Sequence, residues 1–266
     1  MRAPSVHVEP IELAPQALLN LAARWPGRYP VLLDSAADGA LAQMSLLAAL
    51  PRGCLWLDSG GGIHTTGDLP PLEANAFLPA LEAHWRSAAQ GAAGRPATLP
   101  FGGGWFVYLG YELGLEIEPS LRPFWPQSSF GDARPVAAAL RIPAALMRGS
   151  DGRGQLITEP TVTPEERQQI LADLQQVAAL PVDVVGHPAI AATEEDPAAY
   201  LQRIHRTQEY IRAGDIYQAN LSRPWRARLP EGYPAAALYQ RLRTSNPAPF
   251  AAFAQFGALQ ILSSSP

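Results

Sequence analysis

The chain has 266 residues, of which 47% are hydrophobic and 17% charged, a balance that supports a folded core and excludes intrinsic disorder. Its net charge is −4 and its 20 basic residues are all arginine, with no basic run; this argues against nucleic-acid binding and leaves no P-loop or Schiff-base lysine in these residues. Cys54 is the single cysteine, and neither a signal-peptide core nor an apolar stretch of membrane-spanning length occurs, so the expectation is a soluble chain in a reducing compartment, the cytoplasm.

In chain order, Tyr29 to Ser35 (YPVLLDS) reads as a buried strand, and Leu41 to Leu50 as a strand or a short helix. Cys54 to Asp58 (CLWLD) is a second strand that ends at Gly60-Gly-Gly62. Helical spacing follows over 71–90 (Leu72, Phe77, Leu78, Leu81, Trp85), then an Ala-, Gly- and Pro-rich loop over 87–100. Phe101 to Leu113 (FGGGWFVYLGYEL) is an apolar strand entered through glycines. Val136 to Met147 and Gln155 to Thr158 flank the turn Gly149-Ser-Asp-Gly152, which predicts a hairpin. Thr163-Pro-Glu-Glu166 has the capping-box pattern and opens a helix carrying Ile170, Leu174 and Val177.

The stretch 181–196 lacks periodicity and reads as a linker. It divides the chain into a first region over 1–185 and a second over 196–266. Asp196-Pro197 predicts a capped helix start, Leu201, Ile204, Gln208 and Ile211 share one helical face, and Gly214 is the stop. Strict alternation then predicts a strand with Tyr217, Ala219 and Leu221 on one face and Gln218, Asn220 and Ser222 on the other. A further helix spans 234–243, the turn Asn246-Pro-Ala-Pro249 follows, and 250–255 pairs with 259–263 in a hairpin about Gly257.

Generic catalytic patterns are missing. There is no G-x-S-x-G, the five histidines are dispersed, and Thr65 and Val107 stand where the third glycine of a dinucleotide fingerprint belongs. Glu194-Glu195-Asp196 reads as a solvated linker and helix cap. The face formed by Gln218, Asn220 and Ser222 has two readings, a wet edge strand or a polar wall of a ligand cavity, and spacing does not choose between them.

Three segments carry a family resemblance. Leu32-Leu-Asp-Ser35, the glycine-rich run Phe101 to Leu113, and Tyr210 to Arg223 (YIRAGDIYQANLSR) with Asn246-Pro-Ala-Pro-Phe250 and Ser263-Ser-Ser-Pro266 resemble the chorismate-utilising large subunits of anthranilate synthase and aminodeoxychorismate synthase. Val107 departs from the family glycine. Tyr217-Gln-Ala-Asn220 is similar to the Y-Q-V-N of the folate branch, whereas anthranilate synthases more usually carry F-Q-V-V.

The resemblance implies an α+β fold, an antiparallel β-sandwich with helices on the outer faces. It implies an amino-transferring enzyme that binds chorismate with magnesium and receives ammonia from a glutamine amidotransferase subunit. It also implies a catalytic glutamate after the final serine-proline motif and a lysine further on, so no catalytic residue and no metal ligand is expected within 1–266, and no turnover is expected from these residues alone. Strand edges left without partners would make them prone to aggregate. A second implied site holds tryptophan between Ser35 and Pro249, Phe250 and Ala251, with Gln43-Met44 where the family often has an arginine-aromatic pair. Gln218, Asn220 and Ser222 are the candidate wall of the chorismate site.

Overall fold

The computed structural model describes residues 6–37, 39–72, 74–91, 99–124, 134–178 and 190–265. Strand β1 (His7–Ile11) and helix α1 (Ala17–Arg24) lead into β2 (Val31–Asp34), β3 (Met44–Ala49), β4 (Gly53–Leu57) and β5 (Ile63–Gly67). Helix α2 (Phe77–Gly91) precedes β6 (Gly104–Leu109) and the short α3 (Gly114–Ile117), which is flanked by 3₁₀ turns at Tyr111–Leu113 and Pro119–Phe124. Strands β7 (Ala137–Ile142), β8 (Ala144–Gly149) and β9 (Gly154–Thr158) and helix α4 (Pro164–Ala178) follow. Next come β10 (Ala192–Glu194), α5 (Pro197–Ala213) and β11 (Trp225–Ala227), and then α6 (Ala235–Ser245), β12 (Phe250–Phe256) and β13 (Leu259–Ser265). Residues 41–50 are therefore strand rather than helix, the helix of 71–90 starts later and runs on to Gly91, and 92–98 and most of the linker lie outside the described residues.

The chain divides into two compact units, Met1–Asp183 with Ala235–Pro266, and Val184–Pro234. The division near residue 184 falls in the linker, but 235–266 joins the first region rather than 196–234, because β12 finds its ladder partner in β2.

In the larger unit two antiparallel sheets pack face to face. One has seven strands in the order β1-β9-β8-β3-β2-β12-β13, the other four in the order β5-β4-β7-β6. Both faces of β2 are used. Val31 packs with Leu140, Ile142 and Ala254 between the sheets, while Leu32 joins Leu21, Leu47, Leu146, Leu156, Ile170 and Phe253 under α1, α4 and α6. Coverage on both sides accounts for the consecutive apolar pair Val31-Leu32, whereas Leu33, the next residue, is exposed. Helix α2 covers the outer face of the four-stranded sheet, placing Phe77 and Ala80 against Leu55, Ala137 and Ala139. The expected sandwich with helices on its outer faces is the observed architecture.

The apolar run from 136 to 147 is two strands, β7 in one sheet and β8 in the other. Pro143 stands at the corner, where its missing N–H removes a ladder bond from either sheet. The corner is fastened by Arg141, whose Nη2 donates to Glu159 Oε1 at 2.7 Å and Oε2 at 2.5 Å and whose Nη1 donates to the Gly104 and Ile142 carbonyls. Gly103 lies against this pair at φ +93°, and a Cβ there would meet Glu159 Oε1 at 1.8 Å. At the start of α4 the capping box is formed: Thr163 N–H donates to Glu166 Oε2 at 2.9 Å and Glu166 N–H to Thr163 Oγ1 at 3.2 Å.

The smaller unit is described over 190–234. Asp196 caps α5 by accepting from Ala198 N–H at 3.0 Å, and Gly214, at φ +82°, ends it with Asp215 N–H donating to the Tyr210 carbonyl. The β10–β11 ribbon is tied to α5 by the Arg203–Glu195 ion pair and by Arg223, whose guanidinium lies 5.7 Å from the Tyr200 ring and 5.5 Å from the Trp225 ring. Leu201 and Ile211 on the expected apolar face of α5 are exposed.

Two tests follow from the packing. Gly103→Ala combines a strained backbone with displacement of a half-buried ion pair, so urea unfolding should show a loss of roughly 2–4 kcal/mol; a change within error would remove this account of the glycine run. His84, 4% exposed, lies 6.1 Å from the Trp105 ring, and its Nε2 has no partner among the described residues. Burial pushes its pKa down, so the unfolded chain takes up the proton first and stability is lost as pH falls below about 6.5. His84→Phe should reduce the stability difference between about pH 7.5 and about pH 5.5, and an unchanged difference would assign the effect elsewhere.

Candidate functional site

Segments far apart in sequence meet at one end of β2. In the antiparallel ladders Asp34 stands opposite Ala251, and Ala251 opposite Ser264. Ala36 N–H donates to the Ala248 carbonyl at 3.0 Å, which draws the Asn246-Pro-Ala-Pro249 turn against the residues after β2. The same turn is held on its other side by Ser264, which accepts from Asn246 Nδ2 at 2.9 Å and donates to the Asn246 carbonyl at 2.5 Å. Ser35 sits in the middle. Its Oγ is 2.7 Å from the Met44 carbonyl and 3.1 Å from the Pro249 carbonyl, while its N–H donates to Ser45 Oγ.

Beneath Ser35 lies a carboxylate that the sequence reading did not single out. Asp34, 5% exposed, accepts from Ser45 Oγ at 2.9 Å and Tyr239 Oη at 3.1 Å, and its Oδ2 is 3.2 Å from Arg243 Nε. Desolvation, and then the Asp34 charge, push the Tyr239 hydroxyl up, so it stays a neutral donor. Four groups from β2, β3 and α6 thus meet in one satisfied network, and the Tyr239 ring stacks on Phe253 at 5.4 Å. An acid inside an apolar strand was the available signal, since a buried carboxylate requires a cation or several donors; Tyr239 and Arg243 lie on α6, far along the chain, and spacing does not reveal them.

The sequence-predicted residues divide accordingly. Ser35, Pro249 and Ala251 are brought together, with Ala251 buried and Phe250 57% exposed beside them. Gln218, Asn220 and Ser222 belong to the smaller unit, all three exposed, on a segment that is not a strand. The alternating strand expected over 217–222 is therefore corrected. A strand needs a neighbour for its N–H and C=O groups, and among the described residues pairing begins only at Trp225, against Glu194. Among the described residues no three His, Cys, Asp or Glu side chains form a group able to hold a metal ion, and no helix is long and apolar enough to cross a membrane.

A family profile described as chorismate binding enzyme matches residues 54–266. The chain belongs to the chorismate-binding enzyme family. Similar proteins include anthranilate synthase component 1 of Thermus thermophilus, 29% identical over 267 residues, covering 96% of this chain and 54% of the relative. An anthranilate synthase component I-like protein of Synechocystis is 30% identical over 164 residues, 59% of this chain and 31% of that one. A 2-amino-4-deoxychorismate synthase of Streptomyces globisporus is 27% identical over 169 residues, 61% of this chain and 33% of that one. Among solved structures, anthranilate synthase component I from Streptococcus pneumoniae shares the fold, with a TM-score of 0.63 and 20% identity over 86% of this chain and 52% of that one. The chain spans about half the length of the Thermus relative and of the Streptococcus structure.

The Asp34 network predicts a coupled pair. Asp34→Asn strands the Arg243 guanidinium in a buried site and should cost about 3 kcal/mol in urea unfolding. Adding Arg243→Met removes the lone charge and should restore part of that loss. A double variant that loses the sum of the two single losses would show the pair uncoupled.

Proposed function

We propose that this chain supplies the chorismate-binding part of an aminodeoxychorismate synthase, in which ammonia from a glutamine amidotransferase subunit replaces the 4-hydroxyl of chorismate on the way to 4-aminobenzoate and folate. Family membership supports a chorismate-using enzyme, and the observation that carries the branch is Asn220 in Tyr217-Gln-Ala-Asn220. Magnesium is the expected cofactor. The described residues present no ligand cluster for it.

A second reading, anthranilate synthase component I, is favoured by the names of the Thermus and Synechocystis relatives. The Streptomyces globisporus relative does not favour the folate branch, because its name places the amino group at position 2. The Ser35–Pro249 junction supports a third element of the proposal, a site for an aromatic amino acid such as tryptophan. Pro249 and the exposed Phe250 ring offer flat apolar faces, and the Ser35 hydroxyl offers a polar contact once it turns from the Met44 carbonyl.

One assay separates these readings. The polypeptide encoded by the complete reading frame is incubated with chorismate, magnesium and ammonium, with and without an aminodeoxychorismate lyase. 4-Aminobenzoate formed only when the lyase is present is the expected result, and anthranilate fluorescence without the lyase would overturn the branch assignment. Tryptophan added to the same assay should lower the rate, and Ser35→Ala should weaken that response. A rate indifferent to millimolar tryptophan would remove the effector site.

A further inference from the structure

At the other end of β2, away from Ser35, a pocket of about 650 Å³ opens between the facing sheets of the larger unit. Cys54 of β4 and Ala138 of β7 line it from one sheet and Phe256 from the other, with Trp56, Pro30 and Pro135 among the remaining lining residues. We propose that this pocket binds an uncharged, planar aromatic molecule of two or three fused rings. The site does not depend on the reading of the Ser35 junction. Ser35 lies beyond Asp34, whose ladder partner is Ala251, while the pocket is reached from Pro30 and Gln255, at the opposite end of the same strand pair.

Size is the first argument. The volume lies within the range of small-molecule sites, roughly 300–1,000 Å³, and exceeds what a single ring would fill. The second argument is that the walls are already rigid. The His64 ring stacks on Trp56 at 5.0 Å with 22° between planes, and the Phe106 and Tyr108 rings each stand 5.7 Å from Phe256. Aromatic walls fixed from behind lose little freedom when a ligand enters, so contact area converts to affinity with a smaller ordering cost. Flat faces of rings and prolines match a flat solute better than a puckered one.

The third argument is charge. The charged residues of the lining, Asp58 and Arg134, both have partners already. Asp58 Oδ1 accepts from Gly60 and Gly62 N–H at 2.8 Å each and Oδ2 lies 2.6 Å from His64 Nε2, and Arg134 is likewise engaged. What remains is neutral: the Thr66 hydroxyl, the Cys54 thiol, and the amides of Gln255 and Gln260, with Gln255 anchored by donation to the Ala22 carbonyl at 3.0 Å. A neutral polar edge suits a phenol or a ring nitrogen and gives an ion no counter-charge.

Cys54 provides the test, because it is the only thiol in the chain and lines the pocket. Burial pushes it up to about 11, so alkylation is slow and depends on access. The purified protein is treated with N-ethylmaleimide alone and with 2-naphthol, 2-naphthoate or 2-decalol. At a concentration that fills about nine-tenths of sites, 2-naphthol should slow modification roughly tenfold by mass action, while the anionic and the saturated analogues should have little effect. No protection by 2-naphthol overturns the proposal. Equal protection by 2-decalol reduces the pocket to a greasy cavity without preference for flat ligands, and stronger protection by 2-naphthoate makes it an anion site; either result overturns the ligand class. Thr66→Trp, on the exposed edge strand β5, should block the mouth and abolish the effect of 2-naphthol. Persistent protection in that variant would place the ligand elsewhere. Should the variant melt early, the comparison of the three probes on the unaltered protein decides alone.

Discussion

The register between β2 and β12, with Asp34 opposite Ala251 and Val31 opposite Ala254, is the contact on which the larger unit depends. It joins residues more than 200 positions apart. The chain entropy lost in closing such a loop grows only slowly with length, but it has to be offset by burial on both faces of the strand. That burial is supplied by the second sheet on one side, through Val31, and by three helices on the other, through Leu32. Shifting the pairing by one residue would turn Val31 to the helices and Leu32 to the sheet interface, and would move Asp34 away from Tyr239 and Arg243. The register and the buried carboxylate therefore specify each other. A network that is satisfied in one alignment only is a more selective device than apolar packing, which tolerates several.

The second constraint is the corner at Pro143. One polypeptide passes from the four-stranded to the seven-stranded sheet there, so two ladders must stop and start within a few residues. Proline ends both, and Arg141 ties the corner by donating to the carbonyls of Gly104 and Ile142. Glu159 then completes the guanidinium, and Gly103 supplies the space. The glycine-rich run, a mark of family likeness in the sequence, has in this structure a local reason: at Gly103 a side chain would occupy the place of a carboxylate.

Much of this was legible from local signals. The capping box at Thr163, the Asp196 cap and Gly214 stop of α5, and the hairpins about Gly149–Gly152 and Gly257 depend on neighbours a few residues away, and the structure has each of them. Two readings failed for one reason. Val136 to Met147, interrupted by Arg141 and Pro143, stands in the sequence as a single flank of the hairpin about Gly149–Gly152, yet only β8 forms that hairpin and the sheet identity changes at Pro143. Residues 217–222 alternate as a strand does, yet no partner stands beside them among the described residues. Alternation reports which way side chains would point; pairing is decided by distant segments, which spacing does not locate. The same limit hid Asp34, whose partners lie on β3 and α6, and the pocket, which is assembled from both sheets.

The two ends of β2 carry different kinds of information about function. At the Asp34 end, motif residues are fixed by backbone hydrogen bonds and a buried ion pair, so their positions are dictated by folding, and a ligand there must compete with interactions already made by Ser35 and Pro249. At the Pro30 end the enclosing rings are braced, but the space between them is not filled by the described residues. A polar group that is already satisfied binds weakly unless the ligand offers a better partner than the backbone does, whereas an apolar cavity with rigid walls gains from any well-shaped occupant. Conserving stability and recognising a ligand thus make opposite demands on a site. The motif end meets the first, with its side chains engaged; the unassigned end has the open volume that the second requires.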